Sequence, residues 1–284
     1  MEINTREILN VWEEELVNRV IKIEKRLGLY PKLLILRVGD RPDTNLYVRN
    51  KVKKAEELGI DVTVLQFPED ISQNELNCYM YAADVPTILQ LPLPYHLDAK
   101  KAINCLDPIY DVDGLTIKQK GLLVSHNPSA MVPATAKGVI RILENLTSLK
   151  GKRVSILSRS ELIGQPLAQL ILHRDGVPTI LHSQIPEYIL KEYMLNSDIV
   201  ITACGKRAIF DETYFNIRDQ IIIDCSMAKD ENIPGVGDLD KDRVMSYTSN
   251  KIASGYGHTG PATVLGLIEN VVIFYENYER WYYE

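Results

Sequence analysis

Short runs of branched apolar residues alternate with segments of helical periodicity, and this alternation occurs twice along the chain. In the first half the apolar runs are "KLLILRVG", "DVTVLQF" and "VPTILQLPLP", and a helical segment separates the first two. In the second half they are "RVSILS", "PTILHS", "IVITAC" and "IIIDCS", with "IGQPLAQLILHRDG" and "PEYILKEYMLNS" as intervening helical segments. A β-α-β order favours a mostly parallel sheet with helices packed on it. The sequence therefore predicts an α/β protein of two domains, the second a Rossmann-like doubly wound unit.

Three helical segments set the predicted domain limits. Residues 5–28 carry apolar side chains at spacings of three and four, with Val11 and Ile21 among them. "ATAKGVIRILENL" predicts a helix that carries the chain from one domain into the next, and the segment beginning "PATVLGLIEN" predicts a final helix that packs on the first domain. We predict that residues 1–132 and 262–284 form the first domain and residues 133–261 the second.

Charge and hydropathy exclude several classes of partner. The 284 residues include 32 basic and 38 acidic side chains, and the net charge of −6 predicts no nucleic-acid partner. The beginning of the chain is charged from its second residue and lacks the cationic start and apolar run of a signal peptide. No stretch is apolar enough to predict a membrane span. We therefore expect a cytoplasmic protein without a membrane partner.

The cysteines indicate the same compartment. Cys78, Cys105, Cys204 and Cys225 lie far apart without a CxxC pair, which predicts buried thiols rather than disulfides. No group of His, Cys or acidic residues has the spacing of metal ligands, so no metal is predicted.

The segment "VSILSRSELIGQPLA" lies where a dinucleotide-binding fold places its pyrophosphate loop. It lacks the usual triple glycine, since Ser158 stands at the first position and Gly164 alone remains. The next strand ends in His182 and Ser183, without the acid that would repel a 2'-phosphate, and Arg159 is suited to pair with that phosphate. These residues favour NADP over NAD. The alternative is an ordinary strand-to-helix turn with a surface arginine.

A helical stripe in "DTNLYVRNKVKKAEELGI" contains Tyr47, Lys51 and Lys54, next to an apolar face. A lysine at the edge of the core loses solvation, and neighbouring cations such as Lys53 and Lys54 would further favour its neutral, proton-accepting form. The alternative is a solvated helix lysine.

Two further segments carry polar residues that follow apolar runs. Gln90 ends the strand in "LQLPLP", at the edge where open α/β sheets bind ligands. In "YDVDGL", Asp111 and Asp113 precede Gly114, and a carboxylate at this turn is suited to grip a planar ring through paired N–H donors. Taken alone, this segment is equally an Asx-Gly turn.

In their order along the chain, these segments resemble the bifunctional methylenetetrahydrofolate dehydrogenase/cyclohydrolase family. "TNLYVRNKVKKAEELGI" is similar to the family's Ser-x-x-Tyr-x-x-x-Lys helix, and "LQLPLPYHL" to its Gln-Leu-Pro-Leu-Pro signature. "DVDGL", "SRSELIGQPLA" and "GDLD" follow in the family's order. The resemblance covers nearly the whole chain.

The resemblance implies oxidation of 5,10-methylenetetrahydrofolate with NADP or NAD, then hydrolysis of the methenyl product to 10-formyltetrahydrofolate, a one-carbon step of purine biosynthesis. It implies a homodimer, formed through the second domain, in which the first domain binds folate. The implied catalytic residues are Lys51 as general acid/base, Gln90 to orient it, Tyr47 to pack on the folate and Asp113 to hold the pterin. The implied substrate-binding residues are Tyr47, Gln90, Leu91, Pro92, Asp113, Gly260, Pro261 and Thr263. The implied cofactor-binding residues are Ser158, Arg159, Ser160, Ile163, Gly164, His182, Ser183, Ala203, Cys204 and Gly205.

The sequence departs from the family pattern mainly on the cofactor side. Its glycine-rich loop is "SRS", the late Pro-Gly-Gly-Val-Gly-Pro-Met-Thr loop is "YGHTGPAT", Thr44 replaces a serine, and Tyr110 stands where a lysine normally precedes the aspartate turn. His258 thus carries a side chain where the family keeps bare backbone. These departures leave open a folate-binding relative that acts as a cyclohydrolase only or without catalysis. Another lysine-using dehydrogenase, of the shikimate type, is a third hypothesis.

Overall fold

The computed structural model describes residues 1–217, 219–226, 236–254 and 257–278, apart from the side chains of residues 42 and 43. The chain divides into two compact units. The three-stranded unit comprises Val11–Ala134 and the chain from Val264 onward, and the five-stranded unit comprises Met1–Asn10 and Thr135–Thr263. The assignment of separate functions to residues 1–132 with 262–284 and to residues 133–261 stays a prediction.

The elements of the first part of the chain follow the predicted alternation. In chain order they are α1 (Thr5–Leu27), β1 (Lys32–Val38), α2 (Pro42–Glu57), β2 (Asp61–Phe67), α3 (Gln73–Tyr81), β3 (Thr87–Leu89), α4 (Ala99–Ile103) and α5 (Ile117–Val124).

The sheet of the three-stranded unit has the order β2-β1-β3, and both pairings are parallel. The branched central strand β1 is buried through Leu33, Ile35 and Leu36. Parallel strands end at the same edge of a sheet, and the Gln90 N–H extends the pairing past β3 by donating to the Leu36 carbonyl at 2.8 Å. Gln90 is thereby fixed at the carboxyl edge of the sheet.

The second part of the chain builds the five-stranded sheet. Its elements are α6 (Ala134–Leu146), β4 (Arg153–Leu157), α7 (Gly164–Leu172), β5 (Val177–Ile180), α8 (Glu187–Leu195), β6 (Ile199–Thr202), a 3-10 turn (Glu212–Tyr214), β7 (Ile221–Asp224), α9 (Lys241–Tyr247), β8 (Lys251–Ala253) and α10 (Thr259–Glu276). The strand order is β5-β4-β6-β7-β8, with every pairing parallel. Counted from β4, this is the order 2-1-3-4-5 of doubly wound sheets, which confirms the predicted fold class.

The expectation that the cysteines are buried is wrong. Residues Cys78 and Cys204 are exposed and Cys105 and Cys225 are half-buried, because they lie at element ends or on outer helix faces. All four are free thiols. In α1, Val11 and Ile21 face solvent with 51% and 40% exposure, since the buried stripe of this helix is narrower than its apolar content.

No helix in the described ranges has both the length and the hydropathy that crossing a bilayer requires.

Candidate active site

Lys51 and Gln90 form a hydrogen-bonded pair in the three-stranded unit. Lys51 lies in the middle of α2, and its Nζ donates to Gln90 Oε1 at 2.9 Å. Gln90 Nε2 donates to the Leu91 carbonyl at 2.7 Å, which fixes the orientation of the amide. The amide oxygen is therefore held toward the amine.

The amine of Lys51 differs electrostatically from an exposed lysine. Burial lowers the pKa of the Lys51 ammonium, while the negative charge of Asp113 acts in the opposite direction. Burial likewise raises the pKa of the Asp113 carboxyl, and the charge of Lys51 opposes that shift. Although Lys51 is half-buried as a whole residue, its amine end is the enclosed part, because it reaches a glutamine with only 8% exposure. The site thus combines an amine and a carboxyl that both resist ionisation.

The expectation that neighbouring cations lower the pKa of Lys51 is wrong. Lys54 Nζ contacts Glu13 at 3.1 Å and Glu57 at 2.9 Å, and Lys53 lies 3.9 Å from Glu57. These acids compensate the positive charges next to them, so the pKa of Lys51 is lowered by burial and not by repulsion from neighbours.

The turn that carries Asp113 is fixed on both sides. Asp111 Oδ2 accepts from the Thr116 N–H at 2.7 Å, and burial raises the pKa of Asp111 to about 6. Gly114 has a φ of +69°, and a Cβ there would lie 2.3 Å from the Met131 carbonyl oxygen. Glycine is therefore required both for the backbone conformation and for the close approach of the 131–133 segment.

The other predicted substrate-binding residues lie in both units. In the three-stranded unit, Tyr47 stands one helical turn before Lys51 with 43% exposure, and Leu91 and Pro92 directly follow Gln90. Gly260, Pro261 and Thr263 belong to the five-stranded unit. The structure thus brings together Lys51, Gln90 and Asp113, and it places Gly260, Pro261 and Thr263 in the first turns of α10.

His258 is the main departure from the family pattern in the loop before α10. Its side chain contacts other residues of the five-stranded unit. Its Nδ1 is 2.8 Å from Thr5 Oγ1, and its Nε2 is 3.1 Å from Glu2 Oε1. The imidazole therefore ties the residue before α10 to the beginning of the chain.

The loop after β4 has the close strand-helix approach of a phosphate-binding turn. Gly164 begins α7, and a Cβ there would lie 1.9 Å from the Ser158 carbonyl oxygen. The Ser160 hydroxyl accepts from the Ile163 N–H at 3.1 Å, and Ser158 Oγ accepts from the Ser160 N–H at 3.3 Å. These bonds hold the backbone in a tight turn at the start of α7, where a helix dipole favours an anion.

Arg159 lies in this loop, and His182 and Ser183 follow the strand next to it. Arg159 is exposed, and its carbonyl accepts from Gln165 Nε2 at 3.1 Å. His182 and Ser183 follow β5, the strand next to β4, and no carboxylate ends that strand. A guanidinium pairs favourably with a phosphate, and no acid at the end of β5 would repel it, so this edge fits a 2'-phosphate.

Ala203, Cys204 and Gly205 follow β6. Two acids accept hydrogen bonds from the end of β6 and the segment after it, and the sequence analysis missed the role of both. The Asp238 carboxylate accepts from the N–H groups of Cys204 and Lys206 at 2.7 and 2.8 Å and from Ser226 Oγ at 2.7 Å. Asp224, at the end of β7, accepts from Thr202 Oγ1 at 3.0 Å and Ser254 Oγ at 2.9 Å. The signal was present, since Asp224 ends an apolar strand and Asp238 lies in the "GDLD" motif. A third overlooked residue, Asn270, contacts the aspartate turn from α10.

In the part of the chain that the structure describes, no three His, Cys, Asp or Glu side chains are arranged to hold a metal ion.

Two family models match the chain. The model "Tetrahydrofolate dehydrogenase/cyclohydrolase, catalytic domain" matches residues 3–113, and the corresponding "NAD(P)-binding domain" model matches residues 133–279. The chain is 34% identical to a bifunctional protein FolD from Wolbachia sp. subsp. Brugia malayi, over 92% of this chain and 90% of that protein.

Solved structures agree with these matches. The bifunctional FolD of Campylobacter jejuni superposes with a TM-score of 0.91 at 28% identity and covers 98% of this chain and 99% of its own. The methylenetetrahydrofolate dehydrogenase-cyclohydrolase of Trypanosoma brucei, solved with NADP cofactor and an inhibitor, gives a TM-score of 0.89 at 26% identity and covers 99% of this chain and 98% of its own.

Proposed function

The chain belongs to the tetrahydrofolate dehydrogenase/cyclohydrolase family, and from this premise we propose how its own residues divide the two reactions. It is a bifunctional, NAD(P)-dependent methylenetetrahydrofolate dehydrogenase and methenyltetrahydrofolate cyclohydrolase. The family membership removes the hypothesis of a shikimate-type dehydrogenase.

We assign the folate substrate to residues 1–132 together with 262–284, and the dinucleotide to residues 133–261. The support for this division is that the Lys51–Gln90 pair belongs to the three-stranded unit and the β4–α7 loop to the five-stranded unit. In this assignment Tyr47 packs on the folate, Asp113 holds the pterin through paired N–H donors, and Leu91 and Pro92 shape the wall next to Gln90.

Lys51 is the proton-transfer residue of this proposal. Because burial lowers its pKa, a larger fraction of its amine is neutral near pH 7 than in an exposed lysine. In the hydrolytic step water adds to the methenyl carbon, and Lys51 accepts a proton from that water. It then returns a proton to the N5 nitrogen as the bond from N5 to this carbon breaks. The hydroxyl on the carbon releases its proton to solvent and becomes the carbonyl of the formyl group on N10. Gln90 holds the amine in place throughout.

NADP is the cofactor of the oxidative step, and its nicotinamide accepts the hydride when it is bound. Gly164 permits the close approach of backbone and phosphate, and Ser158, Ser160 and Ile163 hold the loop. Arg159 pairs with the 2'-phosphate, with His182 and Ser183 at the neighbouring strand end. Ala203, Cys204 and Gly205, held through Asp238, complete the nucleotide edge. The family resemblance also implies Gly260, Pro261 and Thr263 as substrate-binding residues, and the proposal keeps that role for them.

We further propose a cytoplasmic homodimer that supplies one-carbon units for purine biosynthesis, without nucleic-acid or membrane partners. The free thiols support a reducing compartment, and the net charge of −6 offers no attraction to nucleic acid. Light scattering of the purified chain would measure the subunit number, and a monomer mass would contradict the dimer.

One observation supports this assignment above the others, namely the buried amine of Lys51 held 2.9 Å from Gln90 Oε1. Lys51→Met keeps the aliphatic stem and removes the amine. We expect cyclohydrolase activity to fall at least about 100-fold with an unchanged circular dichroism spectrum. Lys53→Met is the matched control, because Lys53 lies on the same helix with a side chain 79% exposed, and it should keep both activities. Hydrolysis retained by Lys51→Met would remove Lys51 from the mechanism.

A further inference from the structure

Asn270, in α10, is a fully buried amide that bonds to two backbone segments at once. Its exposure is 0%, and its Nδ2 donates to the Val112 carbonyl at 2.7 Å and to the Val132 carbonyl at 2.8 Å. All three residues lie in the three-stranded unit. Both N–H donors of the amide are therefore used on main-chain carbonyls that are distant in sequence.

These two carbonyls flank the turn that presents Asp113. Val112 directly precedes Asp113, and Val132 directly follows Met131, whose carbonyl oxygen closes on Gly114. The two segments are in close contact at Gly114, where even a methyl group would overlap. Asn270 bonds to the same junction from the side of α10.

The orientation of the Asn270 amide is fixed by its partners. Reversing it would place Oδ1 against two carbonyl oxygens, which have no proton to donate. As it stands, Oδ1 has no hydrogen-bond partner within the described part of the chain. A buried acceptor without a hydrogen bond is unfavourable. The favourable contribution of asparagine at this position therefore comes from its two donated hydrogen bonds.

We propose that Asn270 is a positioning residue for the folate site, which holds Asp113 at its place opposite Lys51 and thereby sets the affinity for the pterin ring. This inference rests on the proposed role of Asp113. Asn270 itself does not touch the substrate. It acts on the folate side, because its side chain donates to the backbone on either side of the aspartate turn.

Asn270→Leu tests the proposal, since leucine has nearly the same size and no donor. We expect the KM for methylenetetrahydrofolate to rise about tenfold or more, with the KM for NADP unchanged. The acidic limb of the cyclohydrolase pH profile should also move to lower pH. The reason is that Asp113 raises the pKa of Lys51, and this influence weakens when Asp113 is displaced. Asn270→Ser keeps one donor and should restore part of the folate affinity, and it serves as the test if the leucine variant does not fold.

Glu269→Gln is the matched control, because it alters the neighbouring residue of α10 and breaks the 2.7 Å ion pair with Arg19. It should lower the melting temperature while leaving the folate KM and the pH profile unchanged. Asp113→Asn, measured in the same assay, separates the two levels of inference. If Asp113→Asn leaves the folate KM unchanged, the proposed role of Asp113 fails and the positioning role is overturned with it. If Asp113→Asn raises the folate KM while both Asn270 variants behave like wild type, the positioning role alone is overturned.

Discussion

The lysines of α2 differ in what surrounds each amine. Lys53 is exposed near Glu57, Lys54 is paired with Glu13 and Glu57, and Lys51 is turned inward to Gln90. Helical spacing places Lys51 at the edge of the core, but spacing alone does not distinguish a buried amine from one that extends to solvent. The end of β3 determines which way the Lys51 amine turns, because Gln90 there supplies the acceptor that a buried ammonium requires.

Substitutions at Gln90 should shift the pH profile of the cyclohydrolase in opposite directions. Gln90→Glu places a negative charge next to the amine, which favours the ammonium, raises the pKa of Lys51 and moves the acidic limb to higher pH. Gln90→Leu removes the acceptor, lowers the pKa of Lys51 further and moves the limb to lower pH. Steady-state hydrolysis rates between pH 5 and pH 10 would measure both shifts. A limb at the same pH in both variants would mean that Lys51 does not limit the reaction.

Asp111 should make the protein less stable as the pH rises. Its pKa is raised from 3.8 to about 6 by burial, so folding favours its protonated form. This contribution to stability is fully present below the unfolded pKa and is lost as the pH rises through about 6. Asp111→Asn cannot lose a proton, so its stability relative to wild type should increase by about 1 kcal/mol between pH 5 and pH 8. Urea unfolding at the two pH values would measure this difference, and a difference independent of pH would contradict it.

At the scale of elements, the long alternating segments were predictable and the short ones were not. The sequence analysis predicted α1, α2, α6, α7, α8, α10 and seven of the strands, but not α3, α4, α5, α9 or β8. The missed helices have five to nine residues and give a weak periodic signal. The segments of α7 and α8, which are also nine residues long, were predicted because they are more apolar than α3. For α3 a local signal existed, since Ser72 and Glu75 form a reciprocal capping box at its start.

The β4–α7 junction depends on a glycine that a side chain cannot replace. In Gly164→Ala the new Cβ would meet the Ser158 backbone, so strand and helix must separate, at a cost of about 1–3 kcal/mol. The melting temperature should fall, and NADP binding should weaken. Gly121→Ala in α5 is the control, because nothing lies within 4 Å of its Cβ position, and the helix should gain up to about 1 kcal/mol. Equal melting temperatures for the two variants would refute this difference.

At the scale of the whole molecule, the two activities should be separable by substitution. Hydrolysis of the methenyl product needs no dinucleotide, so a change on the nucleotide edge leaves it intact. Arg159→Ala should raise the KM for NADP about tenfold or more, leave the KM for NAD unchanged and preserve the cyclohydrolase rate.

Arg153→Ala is the matched control for this experiment, because Arg153 is an exposed arginine of the same sheet and pairs with Asp198 at 3.7 Å. It should leave both KM values unchanged. Equal losses with NAD and NADP in Arg159→Ala would exclude a contact with the 2'-phosphate.

Sequence patterns alone were enough to predict the α/β alternation, the order of the motifs and the helix that carries Tyr47 and Lys51. These features depend on the hydrophobic period and turn residues of short stretches, which act within a few positions. The same locality explains why the thiols were wrongly expected to be buried, since composition near a cysteine does not report which face of an element is covered.

Which polar groups contact each other became known from the folded chain and not from its sequence. Lys51 and Gln90 are 39 positions apart, Cys204 and Asp238 are 34 apart, and Asn270 lies 158 positions from Val112. A pKa and a hydrogen bond depend on distance and burial in space, and both arise from packing between distant segments. No pattern within one segment specifies them.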